Sequence, residues 1–259
     1  MAVVGTTRRG RQANCWARSL ADCQGDITRE HTISAGVLSS KTVRIKGLPW
    51  CRDEPKVIGV SSLVAKRLCR GHNSALSECD AEAKRLFDTL DAAARLDDER
   101  REKHPSEWAN AVVTHRISGR RVERWLLKTL INMTVGGPLP IGDPASEPGV
   151  VEPSLVEVAF GKANFVAPRG LYGGALVGEK VDGAREWEFQ VLVGDDRSYA
   201  SGLLARLRSI RFGLSLIPHR LPRVIEHIED WKGTHLLQPF NGFNRNLGPI
   251  PSQRIVFEW

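Results

Sequence analysis

The 259-residue chain has no apolar run approaching the ~18–20 residues that a membrane-spanning helix needs. Its first ten residues, MAVVGTTRRG, lack the apolar core of a secretory signal. The expectation is a cytoplasmic, intracellular protein without a membrane partner. An even set of cysteines is also missing. There are five, Cys15, Cys23, Cys51, Cys69 and Cys79, and an odd count in such a chain argues against a disulfide framework and for metal ligation or simple burial. Acidic residues are scarce in one region only. Residues 1–72 hold 13 Lys/Arg against 5 Asp/Glu, a net +8, whereas residues 73–259 hold 24 against 25. A basic region attracts a polyanion, most commonly nucleic acid, or else serves as solubilising surface.

What is present divides the chain into parts. Residues 1–12 read as a basic flexible arm carrying Arg8, Arg9 and Arg11. Lys41–Lys46 alternates as a strand does. From residue 74 the period becomes helical: Leu76, Cys79, Ala83, Leu86, Phe87, Leu90, Ala93 and Ala94 recur at spacings of three and four, with Asn73 or Ser74 placed to cap the helix. Residues 96–135 form a helical segment in which Arg121–Met133 is the clearest helix. There Val122, Trp125, Leu126, Thr129, Leu130 and Met133 share a face, and Arg120, Arg121, Arg124 and Lys128 fall largely off it, as a solvated face or as phosphate contacts. The Pro/Gly-rich stretch between 136 and 150 reads as a domain boundary. Beyond it, Leu155–Phe160, Ala175–Val181, Trp187–Val193, Leu207–Ile217 and Arg254–Trp259 read as strands of an antiparallel, strand-rich domain over 150–259, with no catalytic motif of its own. His219, His227 and His235 are scattered through it as surface or packing residues. The fold class expected is α+β.

The chemistry concentrates in the first eighty residues. Structural zinc takes four Cys or His ligands, usually as two close pairs. Cys69-x2-His72 has that spacing. Its partners are Cys15 and Cys23, which lie wider apart than the usual two to four residues; Cys51 and Cys79 are spare candidates, and Cys79 also fits the apolar stripe of its helix. Between the cysteine elements lies Glu30-His31. Histidine is the natural general base near neutral pH, and a carboxylate beside it suits a divalent cation, a pairing fitted to phosphodiester hydrolysis.

These pieces resemble the HNH endonuclease family. Cys15 and Cys23, then Ile27-Thr-Arg-Glu-His-Thr-Ile33, then Leu68-Cys-Arg-Gly-His-Asn73 follow its order. The resemblance covers roughly residues 13–80 and implies an N-terminal zinc-stabilised ββα-metal finger, here bounded at 13–95. It implies a general-base role for His31. It also implies that Glu30 and Asn73 help hold a catalytic Mg2+ or Mn2+, while Cys15, Cys23, Cys69 and His72 hold structural zinc; His72 also suits the last position of the catalytic site. The function expected is a metal-dependent endonuclease acting on nucleic acid, DNA above RNA. Arg8, Arg9, Arg11, Arg29, Arg44, Lys46, Lys66, Arg67 and Arg70 are the expected backbone contacts. The sequence departs from the family's pattern in having no Asn from Thr32 to Gly71, where Ser61 and Ser62 are the nearest polar residues to the usual middle position, and in the 38 residues from His31 to Cys69, which imply an insertion around 40–60. The alternative is a non-catalytic zinc-finger module that binds nucleic acid or protein, with Asn73 as a helix cap and His31 as a packing residue.

Overall fold

A computed structural model describes residues 14–38, 40–104, 107, 113–175, 187–194, 197–207, 210–217, 226–227, 236–237, 240–244, 248–251 and 253–259. The basic arm with Arg8, Arg9 and Arg11 lies outside the described residues, as do His219, His235 and 176–181 of one expected strand.

Strand β1, Ile27–His31, pairs antiparallel with β4, Val64–Cys69; the connection between them contains β2, Thr42–Lys46, and β3, Lys56–Gly59. Strand β4 runs directly into helix α1, Arg70–Ala75, and after a turn at Leu76 into α2, Ser77–Arg101. Leu76, Cys79, Ala83, Leu86, Phe87, Leu90 and Ala93 are all buried, so the helical stripe is the packed face of α2. Neither Asn73 nor Ser74 caps it. Cys69 precedes α1 and Leu76 precedes α2, both without a side-chain capping bond.

Strand β5, Val113–Ser118, leads into α3, Gly119–Thr134, whose Ser118 cap accepts from the Arg121 N–H. Helix α3 is covered almost all round: Glu123, Leu127, Lys128, Ile131 and Asn132 are buried along with the expected stripe, of which Met133 alone is half-buried. Lys128, expected at the surface or on a phosphate, is instead 1% exposed. The run expected as a strand at Leu155–Phe160 is α4, Pro153–Ala159. Pro153 stands in its first turn, where the missing N–H costs no helical bond, and Leu155, Val156, Val158 and Ala159 pack inward.

The remaining strands are β6, Gly170–Ala175; β7, Trp187–Val193; β8, Ala200–Leu207; β9, Ile210–Ser215; β10, Glu226–His227; β11, Leu236–Leu237; β12, Phe240–Asn244; β13, Gly248–Pro251; and β14, Gln253–Glu258. The main sheet has the order β10-β6-β9-β8-β7-β2-β3. It is not wholly antiparallel. Strand β2 lies parallel to β7, with Val43 opposite Trp187; in a separate three-stranded sheet of order β11-β14-β5, β14 lies parallel to β5. The early chain thereby completes the late sheet across the 136–150 stretch. One cluster of buried apolar side chains runs from Cys15 to Phe257, with Phe87 of α2 edge-on to both Trp125 of α3 and Trp187 of β7. The molecule is a mixed α+β structure with a strand-rich part, and no described helix is long and apolar enough to cross a membrane.

Candidate metal centre and the adjoining strand pair

Both ligand pairs expected from the sequence converge. The seven residues between Cys15 and Cys23 fold into a 3-10 turn, Arg18–Leu20, ended by Ala21 at φ 60°. The Trp16 N–H donates to the Arg67 carbonyl at 3.0 Å, which ties this loop to β4. The Arg70 and Gly71 N–H groups donate to the Asp26 and Gln24 carbonyls, each at 3.0 Å, and tie the Cys23 loop to the start of α1. Gly25 turns the loop between those bonds at φ +71°, a conformation that favours glycine.

Cys15 Sγ and Cys69 Sγ each lie 3.3 Å from His72 Nδ1, and Cys23 Sγ lies 3.6 Å from it. All four ligand atoms fall within 4.8 Å of one another. A tetrahedral zinc with bonds of about 2.3 Å to sulfur and about 2.0–2.1 Å to nitrogen places S and N about 3.5 Å apart. The donor set and its spacing therefore fit a metal ion such as zinc. Cys51 and Cys79 lie outside the cluster.

The sequence reading missed two supporting residues. His72 Nε2 sits 2.7 Å from Asp22 Oδ1. A carboxylate there takes the Nε2–H, leaves Nδ1 as the bare nitrogen, and fixes the ring toward the sulfurs. The signal was an acidic residue immediately before Cys23. Phe160, at the end of α4, packs edge-on against His72 with ring centres 5.0 Å apart and also meets Trp16 at 5.6 Å, so α4 lids the cluster.

The three thiols sit in different electrostatic surroundings. Burial pushes the Cys15 thiol up, and burial together with the neighbouring Cys15 and Cys69 sulfurs pushes Cys23 up to about 12. At Cys69 burial acts upward too, but the backbone N–H groups of His72 and Gln24 bring the thiol below its ordinary value. Three sulfurs this close cannot all ionise without a positive charge among them, which a divalent ion held by the four donors would supply. The hydrogen bond with His72 lowers Asp22.

The other predicted residues divide between the two faces of β1, because side chains alternate along a strand. Thr28 and Glu30 share one face. Asn73 Nδ2 donates to Thr28 Oγ1 at 3.2 Å. Glu30, 8% exposed, is held by Lys128, whose Nζ lies 2.6 Å from Glu30 Oε1 and 2.8 Å from Asp80 Oδ2. Ser34 Oγ donates to the same Asp80 at 2.5 Å. Opposing charges at Asp80 and Glu30 hold the Lys128 ammonium above its ordinary value, against the burial that would lower it. Asp80 was also missed, and Lys128 was expected on a solvated face or a phosphate; a single lysine inside Trp125-Leu-Leu-Lys-Thr-Leu-Ile131 was the available signal for a buried partner.

Arg29 and His31 share the other face. Arg29 stands opposite Lys66 and His31 opposite Val64 in the β1–β4 ladder. Arg29 and Lys66 are exposed and His31 is half-buried, so the imidazole lies beside two cations on an accessible face. Arg70 is exposed, with its side chain over Gly25, and Arg44, Lys46 and Arg67 are half-buried, Arg67 lying against Gly136. Among the described residues, no second group of three or more His, Cys, Asp or Glu side chains is gathered around one point for a catalytic ion. Comparison with protein-family models, with curated proteins and with solved structures returned no match.

Proposed function

We propose that the protein is a metal-dependent nuclease of the HNH type, with His31 as its general base and DNA as its preferred substrate. The observation that carries this reading is the accessible face of the β1–β4 ladder, where His31 stands beside Arg29 and Lys66. Two cations at neighbouring ladder positions suit a phosphate backbone, and an imidazole next to them is placed to take a proton from the attacking water. The order of elements supports it as well. A Glu-His strand pairs with a second strand that runs into a helix bearing His72 and Asn73, and the Cys/His cluster pins that junction.

Zinc in this reading is structural. Cys15, Cys23, Cys69 and His72 hold it, and it fixes the junction of the loop, β4 and α1. Mg2+ or Mn2+ is the ion of the reaction. Such ions commonly keep several waters and use one or two protein oxygens plus substrate phosphate, so no complete protein cage is required. The resemblance assigns Glu30 and Asn73 to it, but Glu30 and the Thr28 that Asn73 bonds lie on the face of β1 opposite His31, and Glu30 is held by Lys128, so an ion that serves His31 is held chiefly by substrate phosphate and water. The ion's contribution is charge stabilisation on the phosphate.

The test is cleavage of labelled duplex DNA, single-stranded DNA and RNA with added Mg2+ or Mn2+. Wild type cleaves and His31→Ala does not, while both bind the substrate equally. Cleavage by His31→Ala at the wild-type rate overturns the assignment. A second reading, a non-catalytic zinc module that binds nucleic acid or protein, draws on the engagement of Glu30 by Lys128. Binding without cleavage by wild type under every metal condition favours it.

A further inference from the structure

We propose that Trp50 is the stacking platform for an unpaired base, so that the protein engages a single-stranded stretch of nucleic acid at a site separate from His31; this rests on the nucleic-acid reading above. Of the five tryptophans among the described residues, Trp16, Trp125 and Trp187 are buried, Trp259 is half-buried, and Trp50 is exposed, at 46%. A single exposed ring is ordinary by itself; what singles out Trp50 is the apolar recess and the cations beside it.

The local backbone presents the ring by design of the turn. Gly47, at φ +87°, sits so close to the neighbouring strand that a Cβ would fall 2.0 Å from the Val191 carbonyl oxygen. The Gly47 N–H donates to the Cys51 carbonyl at 3.0 Å, and the Cys51 N–H to the Leu48 carbonyl at 2.9 Å. Leu48 and Cys51 are thereby turned inward, at 6% and 4% exposure, and Trp50 is turned outward on a 3-10 turn, Pro49–Cys51, that Pro49 stiffens.

The ring borders a recess of about 370 Å³, whose other wall is Met133, Thr134, Gly137, Pro138 and Leu139. That recess takes a flat ring against an apolar wall and offers few polar atoms to read its edges, which suits stacking without sequence preference. The charge around it selects a polyanion. Lys56 lies over the Trp50 ring, its Nζ 5.9 Å from the centroid. The β2–β3 ladder pairs Ile45 with Lys56, which brings Lys46 to the same end of the sheet. Arg52 is exposed on the same connection, and its acidic neighbour Asp53 is already engaged by Arg197 at 3.1 Å; Glu54 is the remaining exposed acid there. Cations flanking an exposed aromatic are the pairing used for single strands, in which phosphates meet the charge and a base meets the ring.

The experiment measures fluorescence anisotropy of a labelled oligothymidylate of about 12 nucleotides, near the ~4–16 nucleotides that such sites cover, and of a duplex, without added Mg2+ or Mn2+. Trp50→Ala weakens oligothymidylate binding by about 10- to 100-fold, as loss of one stacked base does. Trp50→Phe restores most of it, and duplex affinity, zinc content and melting temperature stay unchanged. Unchanged oligothymidylate affinity in Trp50→Ala overturns the proposal, and so does equal weakening of the duplex. A fall in sedimentation coefficient on Trp50→Ala, with oligonucleotide binding intact, also overturns it and makes a second copy of the chain the occupant. A wild type that binds through Trp50 but never cleaves sinks the nuclease reading alone. A wild type that cleaves, with Trp50→Ala binding as tightly, sinks this proposal alone.

Discussion

At the scale of single residues, the candidate metal cluster is braced by a side chain outside its four donors. Asp22 holds the His72 ring at 2.7 Å, and losing such an outer partner typically lowers metal affinity about 10- to 100-fold. Asp22→Ala is expected to lose zinc to a chromophoric chelator at correspondingly lower chelator concentration. Asp22→Asn, which keeps an oxygen to accept the Nε2–H, loses less. Equal affinity in wild type and Asp22→Ala would show that the ring needs no such support. A second residue carries a pH dependence. Glu123 Oε2 accepts the Leu171 N–H at 3.0 Å and anchors β6 on α3. Burial pushes its carboxyl from 4.5 up to about 7, although that N–H and the nearby Arg120 and Arg124 act downward. The folded state thus binds a proton that the unfolded chain releases between pH ~4.5 and ~7. The folded-state pKa is raised, so stability falls as pH rises through that window, by at most about 3 kcal/mol. Glu123→Gln keeps an acceptor and cannot ionise. It is expected to melt higher than wild type at pH 8, with the advantage gone by pH 5; a constant difference at both pH values would refute the account.

At the scale of elements, β1 is fastened to the helices by a charge that never reaches water. Lys128, 1% exposed, links Glu30 on β1 to Asp80 on α2. Breaking a buried pair by removing one partner leaves an uncompensated charge and typically costs about 3–5 kcal/mol. Lys128→Met is expected to lower the urea midpoint by that equivalent, and adding Glu30→Gln to recover part of it, since the stranded carboxylate is then gone. An additive double mutant would mean the two groups do not act together. This pair also marks where the sequence stops being legible. The stripe of α2 could be read because one face of that helix packs and the other meets solvent. Helix α3 was placed and its main apolar face was read, but the burial of Glu123, Leu127, Lys128, Ile131 and Asn132 was not, because a helix enclosed on most sides hides its period and its one lysine resembled surface. Helix α4 was misread for a related reason: Leu155-Val-Glu-Val-Ala159 is short, rich in β-branched residues and mostly buried, and its pattern does not separate it from a strand; only Pro153 ahead of it marks a helix start. The Cys69-x2-His72 pair was legible from spacing alone, whereas Asp22 and Phe160 join the cluster only through the path of the chain.

At the scale of the whole molecule, the Pro/Gly-rich stretch at 136–150 looks like a boundary in composition but carries the chain between two halves of one core. Strand β2 takes its place in the main sheet from β7, and β5 takes its partner from β14. Such long-range pairings are invisible to local pattern, because β2 alternates in the same way whichever strand lies next to it. The consequence is that the region with the metal centre cannot be cut free without exposing what it buries. Ending the chain at residue 135 removes β7 and uncovers Val43 and Ile45, now 1% exposed, and it takes Trp187 from the face of Phe87, where the ring centres stand 4.8 Å apart. It also removes Phe160 from His72. Burying a side chain of this size contributes about 1.5–3 kcal/mol, so losing these contacts together approaches the ~5–15 kcal/mol by which a typical domain is stable at all. Residues 14–135 expressed alone are therefore expected to give a metal-binding but non-cooperative species, with a broad thermal transition and weak near-ultraviolet dichroism. The full chain is expected to melt in one step, and adding a chelator to the zinc-loaded chain to lower that single step instead of splitting it. A 14–135 fragment that unfolds sharply and holds zinc as tightly as the full chain would refute the shared core and restore the boundary that the composition suggests.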